Sequence, residues 1–353
     1  MDRNTRYDEE RLAFKTASGW RCLKKLRLVM RQRRVALCLL LADVMIVWVL
    51  LYSFEPLITL LLRNDELFGP RVNLSSADTP RVGGRHHIPR ILHQTCANDT
   101  VPLKWVDSQQ SCKDVYSDFE YKLWTDASAR DFISTEYPWF LETWDNYPFP
   151  IQRADSIRYF VLEHYGGIYL DMDTVCNKTF PLDQVESGTL KHNAIFKSTL
   201  PTGVTNDIMI SSAGHPAFTA AIRKLPIFYA KTRLWARMLP YAAIMMSTGP
   251  FFLTLVVKGY LLEQLSINVQ TVQVINGSEL KPYITDLQSC TWHQGDAKPI
   301  MWLGTRPWTW FSLAAIGLVI GLYLINYTLF VAWRGASRKV PAVIDKFKVS
   351  KLI

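Results

Sequence analysis

The sequence contains no internal repeat and no low-complexity tract, which excludes solenoid and propeller architectures. Cysteine is scarce, with six in 353 residues, and none has the CxxC spacing of a structural zinc site. No small-residue cleavage site follows the first apolar run, so a removed signal peptide does not fit it. Formal charge is absent from Thr309 to Trp333. Hydrophobic residues nonetheless make up 49% of the chain, and the mean hydropathy is near zero. That balance is too apolar for a purely soluble enzyme and too polar for a polytopic carrier.

The apolar excess lies in two runs. Val35 to Phe54 is long enough to cross a hydrocarbon core and carries one acid, Asp43. Asp43 is either a polar contact with a partner helix or a tolerated single acid. Leu57 to Leu62 extends this run as an interfacial patch. Thr309 to Trp333 is the second run, and Trp302, Trp308, Trp310 and Trp333 flank it as an aromatic belt. Residues 1–34 carry net +7 and residues 334–353 net +5, leaving −3 on the 299 residues between. A pI near 9.2 therefore comes from two tails beside apolar spans. The positive-inside rule explains that placement, with no need of a nucleic-acid partner. The expected layout is a cytosolic basic tail (1–34), a first transmembrane helix with interfacial extension (35–62) and a lumenal stem (63–87). A folded lumenal domain with membrane-proximal helices (88–308), a second transmembrane helix (309–333) and a second cytosolic tail (334–353) follow. Cys96, Cys112, Cys176 and Cys290 fall in the lumenal part, which permits two disulfides in three connectivities. Sequons open at Asn73, Asn98, Asn177 and Asn276 in the same part.

Within the folded part, short apolar strands alternate with helices, the pattern of an α/β sheet. Ile88 to His93 reads as a strand, as does Tyr121 to Trp124, with Thr125-Asp126 opening a helix over 128–137. Ile151 to His164 reads as a helix with Ala154, Ile157, Val161 and Leu162 on one face. Gly166-Gly167 ends it, and Ile168-Tyr169-Leu170 forms a buried strand. Residues 226–265 are helical in pattern and rich in large apolar groups. Lys231, Arg233, Arg237 and Lys258 are interleaved among them, with Trp235 between the two arginines. This segment is either a membrane-interface element whose cations meet a lipid headgroup or a core helix pair.

The run YGGIYLDMD (165–173) carries the chemistry. Asp171 and Asp173 follow an apolar strand, where ligands bind in open α/β sheets. Two carboxylates so spaced can share one Mg²⁺ or Mn²⁺. Such an ion can neutralise a departing diphosphate, as transfer from a nucleotide sugar requires. An aspartyl phosphatase of the haloacid-dehalogenase kind also has an Asp-x-Asp after a strand. It needs a later Gly-Asp with a second acid, and Gly295-Asp296 is followed by none. Asp155 and Arg158 share one helix face and are either donor-sugar and phosphate contacts or an ordinary ion pair. His93-Gln94-Thr95 ends the first strand as a nucleotide contact or a turn. His293, beside Trp292, is a third metal ligand or a structural histidine.

IPRILHQT (88–95), YKLWTD (121–126), residues 136–173, GVTNDIMIS (203–211), MSTGP (246–250) and TWHQGDAK (291–298) together resemble glycosyltransferase family 32. Within it they are most similar to fungal inositol phosphorylceramide mannosyltransferases. The resemblance implies a GT-A-type, Rossmann-like α/β fold flanked by two transmembrane helices. It implies a GDP-mannose donor, Mn²⁺ (or Mg²⁺), and retaining transfer to inositol phosphorylceramide. It further implies a Golgi membrane location and a multi-spanning regulatory subunit. Carried over by position, Gln94 and Thr95 touch the nucleotide, and Asp155 and Arg158 hold the donor sugar and phosphate. Tyr169 lines the donor pocket. Asp171 acts through the metal shell, Asp173 binds the metal directly, and His293 with Trp292 completes the site. Asn206 and Asp207 are acceptor-side or sugar contacts.

Overall fold

The computed structural model describes residues 3–69, 87–185, 192–265, 271–287 and 295–349. The chain divides into two compact units, residues 1–55 with 308–353, and residues 56–307. In chain order the elements begin with α1 (Arg3–Leu62), α2 (Asn64–Phe68), β1 (Ile91–Thr95), α3 (Leu103–Val115), β2 (Glu120–Trp124), α4 (Asp126–Glu136) and α5 (Leu141–Asp145). Next come α6 (Pro150–His164), β3 (Gly167–Leu170), β4 (Thr174–Cys176), α7 (Leu182–Val185), β5 (Ala194–Ser198), β6 (Val204–Ser211) and α8 (Pro216–Thr232). The chain continues through α9 (Pro240–Ser247), α10 (Pro250–Leu265), β7 (Val272–Ile275), α11 (Gly277–Leu280), β8 (Ile284–Asp286), α12 (Ala297–Gly304) and α13 (Pro307–Val349).

The first unit is the pairing of α1 with α13. Arg31 stacks on Trp333, Asn326 Nδ2 donates to Asp43 Oδ2 at 2.5 Å, and Phe54 packs on Trp310. The contacts run in opposite sense along the two helices, so the pair is antiparallel. Asp43 thus has a polar partner within the same chain, which satisfies an acid in an apolar run. Val29–Leu62, Pro307–Gly335 and Pro240–Glu263 are long and apolar enough to cross a membrane. The third is mostly buried, because α10 presents Phe252, Leu253, Val256 and Val257 to the core of the second unit.

The second unit is α/β. Among the described residues its main sheet runs β2-β1-β3-β6-β5-β7. β1 is parallel to both β2 and β3, β6 is antiparallel to its neighbours, and β5 is parallel to β7. β4 and β8 form a separate antiparallel pair. Strand alternation sends Tyr169, Phe196 and Met209 into one core and Ile168, Leu170, Ile195, Ile208 and Ile210 into the other. Gly166 and Gly167 have φ of 68° and 99°. A Cβ on Gly167 would lie 2.5 Å from the Ile91 carbonyl oxygen, so only glycine lets β3 enter beside β1. Thr125 caps α4 reciprocally: its hydroxyl accepts from Ser128 N–H, and the Ser128 hydroxyl accepts from Thr125 N–H.

Residues 56–68 depart from the sequence reading of an interfacial patch and a stem. Leu60, Leu67 and Phe68 are buried in the second unit. Asn64 Oδ1 accepts from the Thr202 hydroxyl at 2.6 Å, and the buried Lys258 donates to the Pro56 carbonyl at 3.0 Å. Apolar periodicity does not distinguish a surface in lipid from one in a protein core. Cys112 and Cys176 form a disulfide joining α3 to β4, while Cys96 is buried without a bridge among the described residues. Cys290 and the rest of the stem lie outside the described residues.

Candidate active site

A cavity of about 560 Å³ opens where β1 and β3 end, the antiparallel β6 begins and α6 lies alongside. Its lining brings together Thr95, Asp155, Arg158, Asp171, Asp173, Asn206 and Asp207. Gln94 and Tyr169 lie just outside it, both fully buried. Tyr169 was expected to line the pocket; its place in β3 between β1 and β6 turns its ring into the core instead. Its hydroxyl still reaches the site, donating to Asp171 Oδ1 at 2.9 Å and so accepting from Thr95 Oγ1 at 2.9 Å. Gln94 Oε1 accepts from the Tyr121 hydroxyl at 3.0 Å, and its Nε2 donates to the Asp171 carbonyl at 3.5 Å. Trp292 and His293 lie outside the described residues. Trp235, Arg233 and Arg237 are not part of the lining; they lie on the turn between α8 and α9.

Arg158 is the hub. Its guanidinium pairs with Asp155 Oδ1 and with Asp171 Oδ1, each at 3.0 Å. Nη1 also donates to the Asn206 carbonyl at 2.7 Å, Nε donates to the Ala154 carbonyl, and the group lies over the Tyr169 ring. Burial works against its charge, but Asp171, Tyr169 and Asp155 outweigh that and hold its pKa raised. Its donors are therefore engaged by the protein, and its main effect is to fix two carboxylates. Asp155 also accepts from Asn206 Nδ2 and from the Thr248 hydroxyl, each at 3.1 Å. The pair is thus a buried brace between α6, β3, β6 and the loop before α10, not a solvated helix-surface contact.

Asp171 is short of compensating charge. Burial pushes its carboxyl up despite Arg158, Asp207 and Asp173 push the same way, and the pKa reaches about 7. Lys197 Nζ pairs with Asp207 at 2.5 Å and with Asp286 at 3.1 Å, a second cluster beside the first. Lys197 and Asp286 carry no sequence motif; the β4–β8 pairing places Asp286 opposite Thr174, one residue past Asp173. The full lining holds six carboxylates (Asp126, Asp155, Asp171, Asp173, Asp207, Asp286) against two guanidinium groups, Arg153 and Arg158. Trp105, Trp124 and Trp144 add apolar faces. Among the described residues no three His, Cys, Asp or Glu side chains form a ready-made metal cluster. Two carboxylates joined by substrate phosphates are a usual coordination for Mg²⁺-like ions, so the donor set still fits one.

Comparison with known proteins bears on the same region. A family model described as a glycosyltransferase sugar-binding region containing a DXD motif matches residues 102–193. The mannosyl phosphorylinositol ceramide synthase SUR1 of Saccharomyces cerevisiae is 35% identical over 284 residues, covering 78% of this chain and 69% of that protein. The synthase CSH1 of the same yeast is 36% identical over 276 residues, covering 75% and 69%. Inositol phosphoceramide mannosyltransferase 3 of Schizosaccharomyces pombe is 46% identical over 169 residues, 48% of this chain and 44% of that one. Among solved structures, the PaToxG glycosyltransferase aligns with a TM-score of 0.35 at 14% identity, over 55% of this chain and 85% of its own. The DXD strand, its surrounding carboxylates and a likeness spanning more than two thirds of the yeast synthases agree: the chain belongs to the mannosyl phosphorylinositol ceramide synthase family of glycosyltransferases.

Proposed function

We propose that this chain transfers mannose from GDP-mannose to the inositol of inositol phosphorylceramide, with Mn²⁺ or Mg²⁺ held by Asp171 and Asp173. The carrying observation is the cavity's excess of carboxylates over cations. An anionic donor would be repelled from such a lining without a cation between them. A bound divalent ion supplies Lewis-acid compensation for the diphosphate as the anomeric bond breaks. His293 remains the proposed third ligand.

The chain's own groups take the remaining tasks. Arg158 and Tyr169 hold Asp171 in place. Asp155, fixed by three donors, offers an acceptor edge to sugar hydroxyls, with Asn206 and Asp207 beside it. On the β2–β1 side, Trp105 and Trp124 offer stacking faces for a base. Asp126, whose carboxyl is pushed up by burial, could accept from the N1–H and N2–H of guanine, which favours GDP over UDP. Asp155, Asp171 and Asp207 are all engaged by cations. Retention therefore fits a same-face exchange: the sugar–phosphate bond breaks, the inositol oxygen bonds to the anomeric carbon, and its proton passes to the departing phosphate.

A lumenal, Golgi placement of the second unit is part of this reading. Its support is the Cys112–Cys176 disulfide, which belongs in an oxidising compartment, and the basic tails beyond both apolar helices. A multi-spanning regulatory subunit would pair with those helices.

The test is the purified full chain with GDP-mannose, Mn²⁺ and inositol phosphorylceramide, run beside UDP-sugars and a high-mannose glycan. Asp171→Asn with Asp173→Asn should lower turnover on the order of 10³-fold. Full turnover by that double variant in EDTA would end the proposal.

A further inference from the structure

From Ile208 to Leu262 the chain has no acidic residue and six Lys or Arg. Most large apolar groups of this stretch are core: Phe252, Leu253, Val256 and Tyr241 are buried. The turn between α8 and α9 is the exception. Leu234 is 87% exposed and Met238 80%, with Ile227 and Leu239 about half exposed. Lys231, Arg233 and Arg237 stand exposed among them. α9 packs on α12, where Tyr241 N–H donates to Asp296 Oδ2 at 2.9 Å. α12 exposes Met301 and Trp302, with Arg306 stacked on the indole. The result is an apolar face carrying cations and no acid on the α8–α9 turn.

We infer that this face, the 233–239 turn with the exposed side of α12, docks on an anionic lipid surface. Leu234 and Met238 enter the interface, and Arg233 and Arg237 meet lipid phosphates. The charge of the patch is complementary to anionic headgroups. Both chain ends of the unit, at Pro56 and Pro307, continue into membrane-type helices, so the unit is tethered at two points to the kind of surface the patch would meet. Lys258, buried and bonded to the Pro56 carbonyl, takes no part. Met301 also lines the catalytic cavity. Docking would therefore set the cavity beside phosphoinositol headgroups, a consequence that rests on the function proposed above.

The docking itself is tested without substrate. A fluorescent amino acid replaces Met238 in the full chain, reconstituted in nanodiscs of phosphatidylcholine with or without phosphatidylserine. The same probe at Leu103, 92% exposed on α3, is the solvent control. The inference expects a blue shift at 238 and loss of most emission to a lipid-borne quencher, both stronger with phosphatidylserine and both absent at 103. Arg233→Glu with Arg237→Glu should abolish the phosphatidylserine dependence. A probe at 238 that stays as wet as the one at 103 overturns the inference. So does a probe shielded from water yet untouched by the lipid-borne quencher, which would mark a protein contact. Neither readout depends on mannosyl transfer, so the docking can fail while the reaction stands, and the reverse.

Discussion

Arg158 between Asp155 and Asp171, and Lys197 between Asp207 and Asp286, are two versions of one arrangement beside one cavity. The arginine cluster has the drier hub: the Arg158 and Asp155 side chains are 4% and 7% exposed and only Asp171 reaches the cavity at 30%, whereas Lys197, Asp207 and Asp286 are 19%, 17% and 23% exposed. Arg158 spreads its planar donors over two carboxylates and two backbone carbonyls on three elements. Lys197 is a point charge on a rotatable stem. The difference separates two jobs. A buried guanidinium fixes where the carboxylates stand; a partly solvated ammonium sets how much negative charge they present.

Breaking the arginine cluster should have the largest effect. Arg158→Ala leaves Asp155 and Asp171 facing each other without a cation, and loss of one partner of a buried pair costs about 3–5 kcal/mol. The thermal midpoint in detergent should fall accordingly. Arg158→Lys keeps the charge but not the fork. It should fold, yet lose about 10²-fold in turnover, because Asp171 is no longer held in place. Wild-type turnover in the lysine variant would show that charge alone matters and that the two clusters are alike.

The turn that aims β3 at Arg158 has its own dependence on pH. Gly166 O accepts from His93 Nε2 at 2.8 Å, and His93 Nδ1 accepts from the Trp124 indole N–H at 3.1 Å. These bonds require the neutral ring, and burial lowers the His93 pKa to about 4. His215 is alike: Nδ1 accepts from Ala217 N–H at the start of α8, and burial lowers its pKa to about 3. In both cases the unfolded chain binds the proton more readily. Their stabilisation is whole above the unfolded pKa near 6.5 and is lost as pH falls toward 4. At pH 5 each should have given up about 2 kcal/mol relative to pH 7.5. Melting curves across that range should show the loss, and His93→Gln should remove about half of it, leaving the His215 share. A midpoint that rises on acidification would mean the charged clusters, not the histidines, dominate.

Local devices are legible in the sequence. Glycines that must take positive φ, an apolar strand and two acids at its tip are all visible in YGGIYLDMD. So is the Thr125 helix start. Asp155 and Arg158 are visible as a spaced pair, but their burial is not, because the groups that cover them, Asn206 and Thr248, come from β6 and the loop before α10. Lys197 and Asp286 are invisible for the same reason: strand pairing, not spacing, brings them in. Tyr169 shows the limit of a motif, since the strand order around β3 decides which way its ring points. Leu234 and Phe252 are equally apolar in sequence, and only the packing of α8 against α6 and α10 separates the exposed one from the buried one.

Lys197→Met gives the smallest effect and the sharpest contrast. The substitution keeps the stem and removes the charge between Asp207 and Asp286. Burial works against that charge, yet the two aspartates outweigh it and raise the Lys197 pKa, so the ammonium is present in the wild type at neutral pH. Its removal makes the lining one charge more negative. At an effective dielectric between protein and water this favours a divalent cation at Asp171 and Asp173 by about 1 kcal/mol, roughly fivefold in affinity. Titration of Mn²⁺ followed by the free-ion electron paramagnetic resonance signal reads it directly, without donor or acceptor present. Tighter Mn²⁺ binding with little change in melting is the expected result. Weaker binding with a lower melting midpoint would mean that Lys197 braces its carboxylates as Arg158 does, and the division of labour between the clusters would fall.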